Sequence, residues 1–159
     1  MYVKIWVNQD AEVAELSSSA HDEIHQLTQG SAMASRSNEA MKADKKNEVP
    51  VGAIIVNHSG KIIAKAHNIV EFRNNPTCHA EKLVIEKALK ITGHRFLKDC
   101  DLWVTLEPCI MCAGMIKQTR IKRLYYGAED KKGGAVDNGP QVFSSNQVKS
   151  SIEIYSGIS

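Results

Sequence analysis

The chain lacks any long apolar run. No stretch approaches the roughly 20 residues that a membrane-spanning helix needs, and the N-terminus carries no apolar leader, so a cytoplasmic protein with no membrane partner is expected. It also lacks a strong excess of either charge. A net charge of +2 permits a nucleic-acid partner without demanding one. Cysteine is sparse, and two of the four fall in a metal-ligand spacing, which argues for a reducing interior rather than a disulfide framework. What remains, 43% hydrophobic and 24% charged over 159 residues, is the make-up of one domain with a substantial core.

The most informative stretch runs from Thr105 to Cys112, Thr-Leu-Glu-Pro-Cys-Ile-Met-Cys. It follows Leu102-Trp103-Val104, which reads as a buried strand, and leads into Ala113 to Gln118, which reads as a helix. Two thiols three residues apart on a first helical turn are placed to hold one metal ion, and a helix N-terminus favours their thiolate forms. Upstream, Pro76-Thr77-Cys78-His79-Ala80-Glu81 opens a second helix. His79 supplies a third ligand beside Cys109 and Cys112, leaving the open fourth position of a catalytic zinc site, with Glu81 to manage the protons of a water there. His-x-Glu followed by Pro-Cys-x-x-Cys is the known signature of zinc deaminases. A structural zinc knuckle would need a fourth protein ligand. Cys78 is the one obvious candidate, but adjacent helical residues do not face the same way. A redox dithiol is the other alternative.

Along the chain, Tyr2 to Val7 reads as a short strand, Ala11 to Leu27 as a weak helix, and Ser17–Ser19 and Gly30 to Ser37 as flexible connection. Residues 1–37 are therefore expected to form an N-terminal extension, with a deaminase domain over 38–159. Asn38 to Lys46 permits a helix that Pro50 stops. Val51 to Val56 is a nearly continuous apolar run, as in a strand covered on both faces. Asn57-His58-Ser59-Gly60 then turns the chain into a return strand at Lys61 to Asn68. Thr77 to Thr92 is a helix with Ala80, Leu83, Val84 and Ile91 on the apolar stripe, closed by Gly93. Arg123 to Ala128 and Ile152 to Tyr155 complete the strands. This order predicts an α/β protein, a three-layer α/β/α fold around a mixed five-stranded sheet, with both metal motifs on one rim.

The motifs, together with Glu48 to Ala53, His67-Asn68, Val104 to Gly114 and Tyr126 to Asp130, resemble the cytidine/deoxycytidylate deaminase superfamily. Within it the resemblance is to the bacterial tRNA-specific adenosine deaminases. It implies a cytidine-deaminase-like fold, one Zn2+ per chain, a homodimer, and hydrolysis of adenosine to inosine at the wobble position of a tRNA anticodon loop. It also implies that Asn68 contacts the base and that Asp130 lies near a flanking nucleotide. The Ala80 N–H and the main chain near Glu107 are further candidates for substrate contact. The family's C-terminal helix is not found after Ile158, and Ser37 and Asp44 stand where its N-terminal helix carries large apolar residues. Two alternatives follow: a free-base deaminase acting on guanine or cytosine, and an inactive remnant that keeps zinc for stability. Cys78 and Cys100 read as packing, His58 and His67 as polar filler, and His21 with His25 as a chance pair. Arg120, Lys122 and Arg123 form a basic cluster that is either a solvated face or a phosphate contact.

Overall fold

A computed structural model describes residues 3–5, 14–16, 18–144 and 151–158, with side chains from residue 26 onward. In chain order the elements are β1 (Val3–Ile5), β2 (Ala14–Leu16), α1 (Ser18–Asp44), β3 (Gly52–Val56), β4 (Ile62–His67), α2 (Val70–Arg73), α3 (Ala80–Thr92), β5 (Asp101–Leu106), α4 (Ile110–Gln118), β6 (Arg123–Ala128) and β7 (Glu153–Tyr155).

β3 has no polar side chain, and all five of its residues are buried. It pairs antiparallel with β4 on one side and β5 on the other. β5 is parallel to β6, as expected when α4 carries the chain back between them, and β6 is parallel to β7. The expected mixed five-stranded sheet is present, in the order β4-β3-β5-β6-β7. A stack of Trp103, Tyr125 and Tyr155 ties its last three strands together, with ring centroids 3.9 and 4.7 Å apart.

Alternation along the strands divides the core in two. Ala53, Ile55, Leu102, Val104, Leu124 and Tyr126 face α3 and α4. Ile54, Val56, Trp103 and Tyr125 face the other way, against Ala32 and Met33 of α1. The three layers are thus α1, the sheet, and α3 with α4. α3 buries Ala80, Val84, Ile85 and Ala88 and ends at a left-handed Gly93. It begins three residues later than the sequence pattern suggests, and Ile91, expected on the stripe, is exposed.

The largest departure is α1. Ser18, Ser19 and Gly30 to Ser37, expected as flexible connection, lie inside a 27-residue helix, so the expected boundary at 37/38 falls mid-helix. Ala14–Leu16, expected as helix, pairs with β1 instead. The buried positions of α1 do follow the helical period, at Ala32, Ser35, Arg36, Glu39 and Ala43. They are small or polar, however, so no apolar stripe announces them. The charged ones find partners in the fold, although the Arg36 Nε has none: the other two guanidinium nitrogens of Arg36 donate to the carbonyls of Val104 and Ile158, and Glu39 pairs with Lys42 and His67. Small residues let α1 lie directly on the sheet. A Cβ on Gly52 would stand 2.1 Å from the Arg36 carbonyl oxygen, so only glycine fits there. Residues 2, 6, 7, 11–13 and 17 and the side chains of His21 and His25, about which the sequence also raises expectations, lie outside the described residues.

Candidate metal centre and adjoining cleft

Two chain reversals build the centre. β5 ends at Leu106, Pro108 follows, and Cys109 becomes the N-cap of α4 with Cys112 in its first turn. His79 is the N-cap of α3, held in extended conformation. The parallel order of the sheet brings both helix N-termini to one rim. There, His79 Nδ1 lies 3.6 Å from Cys109 Sγ and 3.7 Å from Cys112 Sγ. All three donor atoms fall within 4.8 Å of one another. Zinc–sulfur and zinc–nitrogen bonds of ordinary length at a tetrahedral angle would set nitrogen and sulfur about 3.6 Å apart. The donor set therefore fits zinc. The His79 ring is also hydrogen-bonded to the backbone of Pro76, the kind of outer contact that fixes a ligating imidazole.

The thiols are electrostatically unequal. A hydrogen bond from Cys112 holds the Cys109 thiol down at about 4, against the opposing effect of burial, with His79 and the Cys112 N–H assisting. The same hydrogen bond, with burial and the nearby Glu81 carboxylate, pushes the Cys112 thiol well above its usual range. The cluster by itself thus retains a proton that a cation would displace.

Glu81 is 4% exposed and sits beside this cluster, within hydrogen-bonding reach of Cys112. Burial is the main reason its carboxyl is pushed up to about 7. Cys109, His79 and Glu81 line one wall of a cleft of about 370 Å³, and Asn68, Glu107 and Asp130 line it too. The expected site residues are thus brought together, but their roles divide. Asn68 is buried and accepts the Ala80 N–H at 2.8 Å, so that N–H is already committed and is not a free donor for a substrate. Its Nδ2 has no protein partner among the described residues. The substrate contact expected at Glu107 concerns its main chain; the Glu107 side chain is a structural clamp. Its two oxygens accept the backbone N–H groups of Asp130, Val136, Asp137 and Asn138 and the Asn138 amide. Burial would raise its pKa, yet these donors hold it down at about 2. A Cβ on Gly134 would stand 2.4 Å from the Glu107 Cδ, so glycine is required where the loop wraps the carboxylate. Asp130 spends one oxygen on the N–H groups of Lys132 and Gly133. Cys78 is buried outside the donor set, as is Cys100.

Glu48 is the residue that the sequence reading left without a role. Its carboxylate accepts the N–H groups of Glu71 and Phe72 at 3.1 and 2.9 Å, so it fixes the short α2 over the cleft. Burial opposes its ionisation, but those two N–H groups and that of Val70 keep its pKa below the ordinary value. A glutamate just before the apolar run that starts at Val49-Pro50-Val51 was the available signal.

An α/β/α sheet with a His-x-Glu helix and a Pro-Cys-x-x-Cys helix converging on one cleft defines a zinc-type deaminase scaffold. The sequence pattern of the cytidine and deoxycytidylate deaminase zinc-binding region matches residues 11–128. Among curated relatives, the tRNA-specific adenosine deaminase of Rickettsia typhi is 48% identical over 121 residues, covering 76% of this chain and 82% of that protein. That of Agrobacterium fabrum is 46% identical over 120 residues, covering 76% and 78%. A solved structure from studies of A-to-I editing by tRNA:A34 deaminases superposes with a TM-score of 0.77 at 44% identity, covering 80% of this chain and 98% of the other. The guanine deaminase of Bacillus subtilis superposes less fully, with a TM-score of 0.58 at 39% identity and coverage of 66% and 64%. The chain belongs to the cytidine and deoxycytidylate deaminase family, and within that family it resembles the tRNA-specific adenosine deaminases. No described helix is long and apolar enough to cross a membrane.

Proposed function

We propose that this protein is a zinc-dependent hydrolase that deaminates adenosine to inosine at the wobble position of tRNA. The observation that carries this reading is the convergence of His79, Cys109 and Cys112 with the buried Glu81 on the wall of one cleft, in a chain of this family. His79, Cys109 and Cys112 hold one zinc ion per chain. Bound there, the ion supplies Lewis acidity that makes water a competent nucleophile at neutral pH.

The other steps belong to the protein. Glu81 takes the proton of the attacking water and returns protons to the ring nitrogen and to departing ammonia. A carboxyl that titrates near neutrality can both accept and donate in one cycle. Asn68, its Oδ1 fixed by the Ala80 N–H, presents Nδ2 to an acceptor on the base edge. Val49, Val51, Val70 and Leu106 form the apolar part of the cleft, where a ring unstacked from its neighbours is sheltered from water. A base inside a stacked helix cannot reach this depth, which favours a splayed anticodon loop as substrate. Asp130 borders the same cleft and is placed for a ribose hydroxyl of the flanking nucleotide. A cytoplasmic homodimer completes the reading, and sedimentation of the purified chain tests its oligomeric part.

The decisive experiment is mass spectrometry of nucleosides from tRNA incubated with the purified protein, with free adenine, guanine and cytosine assayed in parallel. Inosine at the wobble position is expected. Conversion of guanine with the anticodon loop unchanged would replace this reading with free-base deamination, the activity of the less similar Bacillus protein. No turnover of any substrate by the zinc-loaded chain would leave a structural zinc protein.

A further inference from the structure

At the other end of α4 lies a larger cleft, of about 760 Å³, whose charged lining is entirely basic. Arg95 and Lys98 come from the loop after α3, Lys117 from the last turn of α4, and Arg120 and Lys122 from the turn before β6. The two loops are stitched together by the Leu97 N–H to the Thr119 carbonyl and the Lys122 N–H to the Cys100 carbonyl. Phe96 stands between them, with the Arg120 guanidinium 4.1 Å from its ring centre and Arg95 and Lys98 at 5.5 and 5.7 Å.

The helix ends do not account for this charge. α3 and α4 both finish here, and two helix C-termini together present about one negative charge. Asp99 lies alongside, and Asp101 faces Lys122 but is committed to Arg123 at 2.8 Å. None of the five cations forms an ion pair among the described residues. The whole chain carries only +2, so without these five it would be acidic. Holding like charges together on rigid loops is unfavourable unless an anion is bound between them.

We propose that this cleft binds the sugar-phosphate backbone of RNA, outside the base-binding cleft and at the opposite rim of the sheet. It rests on the RNA reading above and extends it. α4 alone separates the two sites by about 13 Å, so one nucleotide cannot fill both and a longer RNA is required. The sequence cluster Arg120, Lys122 and Arg123 is thereby resolved: Arg123 is tied to Asp101, and the other two face the anion.

The test uses the zinc-loaded full chain and fluorescence anisotropy with full-length tRNA over a range of salt concentrations. K98E/K122E changes two exposed lysines that take no part in the metal cleft. It is expected to weaken tRNA binding about tenfold at moderate salt and to flatten the slope of log affinity against log salt by about 1–2, the loss of two phosphate contacts. Zinc content, melting temperature and the rate at saturating RNA stay at wild-type levels. K98Q/K122Q gives a smaller change in the same direction, guarding against a folding defect from charge reversal. Unchanged affinity and slope in both variants would overturn the proposal. So would a lowered melting temperature with unchanged affinity, which would assign the cluster to the helix ends, or no measurable tRNA binding by the wild type at low salt. If tRNA binds in this lysine-dependent way but no inosine forms, the RNA cleft stands and the deamination reading falls.

Discussion

Two buried glutamates face the same cleft and are treated in opposite ways. Glu81 is 4% exposed and Glu107 is 2% exposed, so burial does not distinguish them. What differs is the supply of donors. Glu107 is wrapped by five N–H groups and stays ionised. Glu81 is dominated by desolvation and titrates near neutrality. The first is a fixed anion that gathers residues 130–138 beneath the cleft. The second is free to exchange protons. A buried carboxylate is thus assigned to structure or to chemistry by the number of hydrogen bonds it accepts.

The largest effect is expected from a change at the metal cluster that lies between the two glutamates. Cys109→Ala takes away a ligand at the junction between them. Zinc content by atomic emission should fall from one per chain to near zero, deamination should fall to background, and the rim should lose stability. Glu81→Gln is more selective. It should keep zinc and a melting temperature within a few degrees of wild type, while the rate falls by about 10²–10⁴, the usual contribution of a general acid–base group. Near-native turnover would remove Glu81 from the proton path.

Glu107→Gln should do the reverse, because an amide cannot accept from five donors. Stability should drop by about 3 kcal/mol, the free-energy equivalent of a shift from the ordinary 4.5 to about 2. For a chain of this size that lowers the melting temperature by roughly 6–12 °C. The folded value lies below the unfolded one, so this stabilisation is complete above about 4.5 and is lost as pH falls toward 2. Thermal melts across that window should show a steeper acid loss in wild type than in Glu107→Gln, and equal slopes would count against the clamp. Asn68→Asp keeps an acceptor for the Ala80 N–H and removes the amide donor. A fall of about tenfold in kcat/KM with little change in melting temperature is expected. A large loss of stability instead would make Asn68 purely structural. Cys78→Ala is the mildest change, with full zinc retention and a cost of about 1 kcal/mol. Loss of zinc there would mean that the donor set is wrong.

Most of the metal centre was legible in the chain because its geometry is local. His79 and Glu81 sit two residues apart, Cys109 and Cys112 three, and each pair opens a helix, the second directly after an apolar strand. The sheet was legible for a related reason, since Val51 to Val56 and Leu102 to Val104 have the apolar content of strands covered on both faces. α1 was not, because its buried face is built from Ala32, Ser35, Arg36, Glu39 and Ala43. Hydrophobic periodicity is silent on a helix that buries small and polar groups.

Residue type and short spacing in the chain were enough to pick out the His79, Cys109 and Cys112 cluster with Glu81 beside it, and the layer order. Only the tertiary structure decided what each remaining polar group is for. The Glu107 side chain has no evident role until residues 130–138 fold over it. The Ala80 N–H reads as a free donor until Asn68 reaches it across twelve residues of chain. Arg36 lies in what reads as flexible connection until Val104 and Ile158 supply its acceptors. In each case a side chain meets a backbone group distant in sequence. Backbone groups are present at every position, so no pattern of side chains records which of them a folded carboxylate or guanidinium will meet.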